Sequence, residues 1–340
     1  MRIGTRGSAL ALAQARLVVG LLEAHLAAPP AASGPRVELV TIATAGDRDS
    51  SAEDAGSLGH PENEGAASGG DKSRWVNELE RALSVGEIDL AVHSAKDVPG
   101  ELADGLELLG APARAAAEDA LCTVGRSPAV PDEPGAPPSG LERLPAGARV
   151  GTSSVRRAAQ LRASREDLEV VAVRGNVDTR LRKLHEGGFE ALVLARAGLQ
   201  RLGREAEVAA VLDPARFVPS PGQGTLALEG RADDDATRAA VQAIADAKTF
   251  ACLQAERAVA HALGASCNTP LGAHAVDYGC GCLHLRAWVG LPDGSAWVGD
   301  ELLGGFYDPD ALGRRVAERL VSAGAGELLH QAEELAVEHT

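Results

Sequence analysis

Short apolar runs alternate with amphipathic stretches along most of this chain, and that alternation constrains the fold more than any other feature. MRIGTRGS (1–8) reads as a strand leading into a helix from Ala9 to about Ala27, capped by Ser8, and VELVTIAT (37–44) reads as a second strand. The helical pattern WVNELERALSVG (75–86) precedes the apolar run IDLAVHS (88–94). ARVGT (148–152), EVVAVRG (169–175) and FEALVLA (189–195) are further strands, each followed by a helical pattern. Parallel neighbours need crossover connections, so this order predicts an α/β fold built on a mostly parallel sheet.

The pattern changes after Lys248. A helix is expected from Thr249 to Leu263, then strands such as HLRAWVGL (284–291), then helices after Pro309, with Asp308 as cap. Residues 45–73 carry almost no large apolar group and read as a long mobile loop, an expected lid, while the Pro-rich stretch 126–140 reads as a surface insertion. No internal repeat of fixed period is present.

The 340 residues carry a formal net charge of -15, which argues against non-specific binding to nucleic acid or anionic lipid. Charge is unevenly spread, however. Between Arg149 and Lys183 nine Lys and Arg face four Asp and Glu, so that stretch is at +5 and the remainder at -20. A basic island in an acidic protein points to a bound anion. The apolar N-terminal stretch is interrupted by Gln14, Arg16, Glu23 and His25, so it reads as an amphipathic helix and not as an export signal. Five cysteines without such a signal suggest reduced thiols in the cytoplasm.

VGTSSVRRAAQ (150–160) sharpens the argument for an anion. A strand end and a small turn lead into a helix capped by Ser153 or Ser154, so Arg156 and Arg157 fall in its first turn. The helix dipole already places partial positive charge there. A ligand with several anionic groups is the expected compensating partner. Arg6, Arg174 and Arg180 also fall where strands give way to turns or helices, at the carboxyl edge where open α/β sheets bind ligands. Their guanidinium forks suit carboxylate or phosphate, and Ser8, Thr152 and Ser154 add hydroxyls at helix starts.

HSAKDVP (93–99) places Asp97 at the same kind of edge, beside Lys96. An aspartate among cations stays ionised and can stabilise a cationic intermediate. Cys267, in GASCNTPLGA (264–273), lies on a small-residue turn where a thiol is accessible. Cys122 and Cys252 read as buried hydrophobes. Cys280, Cys282, His274 and His284 lack the paired spacing of a structural zinc site, so no metal is expected.

Taken together, RIGTRGSALALAQA (2–15), DLAVHSAKDVP (89–99), GTSSVRRAAQL (151–161), VRGNVDTRLRKL (173–184), LARAGLQRLG (194–203), PGQGTLALE (221–229) and the cysteine loop resemble the porphobilinogen deaminase (hydroxymethylbilane synthase) family in order and spacing, over nearly the whole chain. The resemblance implies two α/β domains like those of periplasmic binding proteins, with a hinged cleft, and a smaller C-terminal α+β domain carrying the cofactor cysteine. The implied boundaries are 1–112 with 219–242, 117–218, and 246–340. It implies a dipyrromethane cofactor on a Cys267 thioether and a monomer that condenses four porphobilinogen units head to tail, each losing ammonia, in tetrapyrrole (haem and porphyrin) biosynthesis.

Each added ring brings two carboxylates. That would occupy Arg6, Ser8, Lys96, Thr152, Ser154, Arg156, Arg157, Arg174 and Arg180, with Asp97 stabilising the electron-poor azafulvenium. Gln14, Arg201 and Gln223 match family positions near the cleft, and Lys72 and Trp75 match lid positions. The chain departs from the family's usual pattern at Ala265-Ser266 before the cysteine, at Asn268-Thr269 after it, and in the acidic lid insertion. Arginines on hinged α/β domains would equally suit a non-catalytic polycarboxylate-binding protein of the periplasmic type. Such a protein would have no use for Asp97 or Cys267.

Overall fold

The computed structural model describes residues 1–26, 36–42, 71–125, 140–266 and 268–338. The chain divides into two compact units, Met1–Arg114 with Thr225–Phe250, and Ala115–Gly224 with Ala251–Thr340.

The first unit holds β1 (Arg2–Arg6), α1 (Ala9–Leu26), β2 (Glu38–Ile42), α2 (Asp71–Ser84), β3 (Leu90–Ser94) and β4 (Leu106–Gly110). A five-stranded sheet is completed by a strand from far along the chain, Leu226–Arg231, which is β10 in the numbering below. Its order is β2-β1-β3-β10-β4: β1 runs parallel to β2 and β3, while β10 runs antiparallel to β3 and β4. Alternation along the strands sorts the core into two layers. Ile3, Leu90, Val92, Leu226 and Leu228 pack with Ala15, Val18 and Leu22 of α1 on one face. On the other, Ala91 and Ile88 meet Leu79, Ala82 and Leu83 of α2.

In the second unit come β5 (Asp119–Thr123), β6 (Arg149–Gly151), α3 (Val155–Ser164), β7 (Glu169–Val171), α4 (Val177–His185), β8 (Ala191–Ala195), α5 (Arg196–Arg201) and β9 (Val208–Val211). Their sheet has the order β7-β6-β8-β5-β9, with β6 parallel to β7 and β8, and β5 antiparallel to β8 and β9. The layout repeats that of the first sheet, with β5 in the place of β10. The expected strand at 169–175 closes after Val171, and the expected helix at 75–86 already starts at Asp71.

After β10, α6 (Asp235–Gln242) and α7 (Ala247–Ala262) lead to an antiparallel meander of β11 (Leu271–Gly279), β12 (Cys282–Gly290) and β13 (Trp297–Gly305). It is closed by α8 (Pro309–Ser322) and α9 (Ala325–Glu338). Its core joins Val259, Leu285, Val289, Leu312, Val316 and Leu320. Within the second unit this meander is tied to the five-stranded sheet by Trp288 packed on Ala159 and Val218, and by Arg162 Nη1 donating to the Pro292 carbonyl at 2.6 Å. Glu256 of α7 is fully buried and accepts from the N–H of Gly222 at 2.6 Å and of Ala275 at 2.7 Å.

Candidate functional site

At the carboxyl edge of the first sheet, β1 and β3 end side by side, because Ile3 pairs with Leu90 and Gly4 with Ala91. That register sets the half-buried Arg6 against the end of β3, whose chain continues into a single 3-10 turn, Ala95–Asp97. Asp97 and Lys96 are both half-buried on that turn. The Ala95 N–H donates to the Thr225 carbonyl at 3.0 Å, which fastens the turn to the strand before β10. The Thr225 hydroxyl is itself buried and has no hydrogen-bond partner among the described residues. Ser8 caps α1 as expected, its Oγ accepting from the Ala11 N–H at 3.3 Å. Gln14 is buried in the same helix.

Near the end of β3, against β10, lies a buried acid–base pair that the sequence did not signal. His93 Nε2 is 2.8 Å from Glu229 Oε2, and both side chains are almost fully enclosed. Burial, with repulsion from Glu229, raises the Glu80 carboxyl above its ordinary value. Lys72 and Trp75 are helical residues of α2; the structure describes their backbone only. Residues 45–70 of the expected lid lie outside the described residues.

The matching edge of the second sheet answers the question raised by Arg156 and Arg157. Ser154 is the helix cap, accepting from the Arg157 N–H at 3.4 Å, and Thr152 is buried with its Oγ1 accepting from the Ser154 N–H at 3.2 Å. Both arginines turn inward and are buried. Arg156 Nη2 lies 2.8 Å from Asp119 Oδ2, and Arg157 Nη2 lies 2.8 Å from Asp119 Oδ1. Asp119 opens β5 and is fully buried. A ligand was expected to supply the compensating anion; the protein supplies one itself. The sequence signal was an acid, Asp119 directly after Glu118, opening an apolar strand.

Gln223 completes this cluster. Its Oε1 accepts from Arg157 Nη2 at 3.2 Å, and its Nε2 donates to Asp119 Oδ1 at 3.0 Å and to the Ala117 carbonyl at 2.7 Å. Arg156 Nη1 donates to the Val218 carbonyl at 2.8 Å, and its guanidinium sits 5.8 Å from the Phe217 ring centre. Burial alone would push the Asp119 carboxyl up, but Arg156, Arg157 and Gln223 outweigh it and hold it below the usual range. For Arg156 burial dominates, with Arg157 adding repulsion, and its pKa falls. Two guanidiniums share one carboxylate, so the cluster keeps one net positive charge.

Two more arginines add to that charge without a carboxylate. Arg180 donates Nε to the Gly175 carbonyl at 2.7 Å, and Arg201 donates Nη2 to the Gly224 carbonyl at 2.6 Å. Burial lowers both pKa values to about 10, with Arg157 repelling Arg180 as well. Among the described residues no acid offsets either shift. Buried Nε atoms of Arg156 and Arg201 have no hydrogen-bond partner there. Arg174 is exposed in the link between β7 and α4, since the strand expected to carry it ends at Val171.

Cys267 lies outside the described residues. Next to its position the Ser266 N–H donates to Thr269 Oγ1 at 2.8 Å, and the Asn268 N–H to Ser266 Oγ at 3.2 Å. The departing pairs Ala265-Ser266 and Asn268-Thr269 are therefore hydrogen-bonded to each other across that position. Cys122 and Cys252 are buried as expected, and burial, with the Glu207 charge, pushes the Cys122 thiol up to about 12. Among the described residues no three His, Cys, Asp or Glu side chains gather so as to hold a metal ion, and no helix is long and apolar enough to cross a membrane.

Comparison with known proteins gives two family matches: "Porphobilinogen deaminase, dipyromethane cofactor binding domain" over residues 1–239, and "Porphobilinogen deaminase, C-terminal domain" over residues 250–322. Curated relatives named porphobilinogen deaminase match across nearly the whole chain. That of Sorangium cellulosum is 47% identical over 297 residues, covering 87% of this chain and 88% of the relative. That of Deinococcus radiodurans is 42% identical over 334 residues, covering 98% of each. The Xanthomonas euvesicatoria pv. vesicatoria protein is 42% identical over 331 residues, covering 97% of this chain and 98% of its own.

Proposed function

The chain belongs to the porphobilinogen deaminase family, and we propose roles in that family's reaction for residues at each sheet edge and for Cys267. It is a transferase of tetrapyrrole biosynthesis, a hydroxymethylbilane synthase that condenses four porphobilinogen units on a covalent dipyrromethane cofactor and releases ammonia. When bound, the dipyrromethane supplies the pyrrole carbon from which the product chain is extended.

Cys267 is our assigned attachment point. The donor set fits a group bearing several carboxylates, and one observation carries that reading: Arg180 and Arg201 are charged, lowered to about 10 by burial, and without an acid partner among the described residues. Desolvating a cation without a counter-ion costs stability, and a bound carboxylate offsets that cost. The orphaned Nε groups of Arg156 and Arg201 are further donors. Thr152 and Ser154 hold the start of α3, while Arg174, exposed at its turn, meets carboxylates from solvent.

At the other edge, Arg6, Ser8 and Lys96 bind substrate carboxylates, and Asp97 is the catalytic residue. Its carboxylate accepts hydrogen bonds from pyrrole N–H groups and stabilises the positive charge that develops as the amine departs. It also moves a proton at the reacting ring. Gln14, Gln223, Lys72 and Trp75 are assigned supporting roles near the substrate. We further propose the division 1–112 with 219–242, 117–218 and 246–340, a monomeric state, and a cytoplasmic location. The three separate sheets support that division.

Intact-mass measurement and an aldehyde colour test for pyrroles check the assignment. The purified chain should carry two linked pyrrole rings that vanish in Cys267→Ser. Asp97→Ala should fold, keep the rings, and release almost no ammonia from porphobilinogen. An unmodified chain from a host that makes porphobilinogen overturns the Cys267 assignment, and normal turnover by Asp97→Ala overturns the role of Asp97.

A further inference from the structure

The hairpin joining β11 to β12 carries chemistry that tetrapyrrole assembly does not use. Gly279 pairs with Cys282, so the loop is two residues long, Cys280-Gly281. Both have positive φ, 49° and 76°, as a type I′ turn requires. Asn-Gly is the favoured sequence for that turn. Cys280 is the one non-glycine residue at positive φ among the described residues. A cysteine kept in a backbone region that disfavours it invites a functional reading.

The hairpin also leaves the core as it approaches its tip. Leu271 to Ala273 are buried, whereas Tyr278 to Gly281 are exposed and Cys282 is half-exposed. Its two thiols face one another, with Sγ atoms 3.6 Å apart. Closure to the roughly 2.05 Å of a disulfide asks the sulfurs to approach by about 1.5 Å. Cys122 and Cys252, by contrast, are buried. A metal is a poorer occupant, since no third ligand joins the two sulfurs among the described residues.

We propose that Cys280 and Cys282 form a thiol–disulfide exchange site that takes a low-molecular-weight disulfide as oxidant and closes to an intramolecular disulfide. Cys280, the more exposed, attacks first as the thiolate. The oxidant's S–S bond breaks, one half leaves as a thiol, and a mixed disulfide forms on Cys280. Cys282 then attacks the Cys280 sulfur and expels the other half as a second thiol. Two electrons pass from the protein sulfurs to the oxidant, and the two thiol protons end on the released thiols. A ring closed by neighbours two positions apart at an exposed tip belongs to the labile, reversible class of disulfides.

Oxidised glutathione is the probe. The full-length protein is treated with it, quenched in acid, unfolded, alkylated and cleaved at Asp277, which separates the pair from Cys267. The expected peptide containing Cys280 and Cys282 takes no alkyl group, is lighter by two hydrogens, and regains two alkylation sites after dithiothreitol. In Cys282→Ser the first step should be trapped as a glutathione adduct on Cys280. Overturning results are a wild-type peptide that still takes two alkyl groups, one that retains glutathione, disulfide-linked dimers in place of the closed ring, or a Cys282→Ser protein without the adduct.

Discussion

Asp119 shows how one side chain sets the character of a whole site. Without it, Arg156 and Arg157 would be two buried cations facing each other at a helix start, where the dipole opposes them. Asp119→Asn keeps the shape and removes the charge. It should destabilise the fold by about 3–5 kcal/mol, as losing one partner of a buried ion pair does, measured by urea unfolding. Arg201 is the opposite case. Its burial is uncompensated within the described chain, so Arg201→Met should raise the stability of cofactor-free protein by about 1 kcal/mol, since the exposed part of the group is already solvated. The same change should lower turnover about tenfold, because a charged hydrogen bond to substrate is lost. Stability that falls together with activity would show that Arg201 is structural. Asp308 as a cap was legible as sequence, and Ser154 was one of two candidates, since a cap acts over three positions. Asp119 was not, because its partners lie 37 and 38 residues away.

Among the secondary-structure elements, the strands followed by helices were legible from apolar spacing, and β5 and β10 were not. Both are inserted antiparallel into a sheet made otherwise of strands running one way, and nothing local marks where such a strand will pair. PGQG, just before β10, is held by packing as well as by its sequence. Gly224 has φ 87°, and a Cβ there would lie 2.7 Å from the carbonyl oxygens of Ala115 and Ala116, so no other residue fits. Glu256 holds the adjacent Gly222 N–H, and Gln223 between them reaches the arginine cluster. At the β11–β12 hairpin the turn residue is the opposite of an optimum. Cys280→Asn should stabilise the reduced protein by about 0.5–1 kcal/mol in thermal or urea melts while abolishing disulfide closure. A loss of stability would mean that the thiol contributes packing that the turn needs.

For the molecule as a whole, acid should be the damaging direction. The carboxyls of Asp89, Asp119, Asp234 and Asp300 are held below the usual range; burial opposes the shift at Asp89 and Asp119, and their arginine partners overcome it. At Asp234 the main cause is the Thr237 N–H, and at Asp300 it is Arg319. A depressed carboxyl contributes stability that is complete above its unfolded value, near 3.9, and is lost as pH falls through its folded one. Glu80, shifted upward, offsets part of that loss. Urea midpoints should therefore stay level from about pH 8 to 5 and drop below about pH 4. Asp119→Asn should drop less steeply; an identical slope would remove Asp119 from the acid response.

The first sheet has a timing problem built into it. β3 and β4 are separated by the width of one strand, and the strand that fills the gap, Leu226–Arg231, is translated long after Gly110. At elongation rates of about 5–20 residues per second the ribosome takes on the order of ten seconds to reach it. Throughout that interval the emerging polypeptide presents two unpaired β edges, so a chain released before residue 226 should be an aggregation-prone fragment.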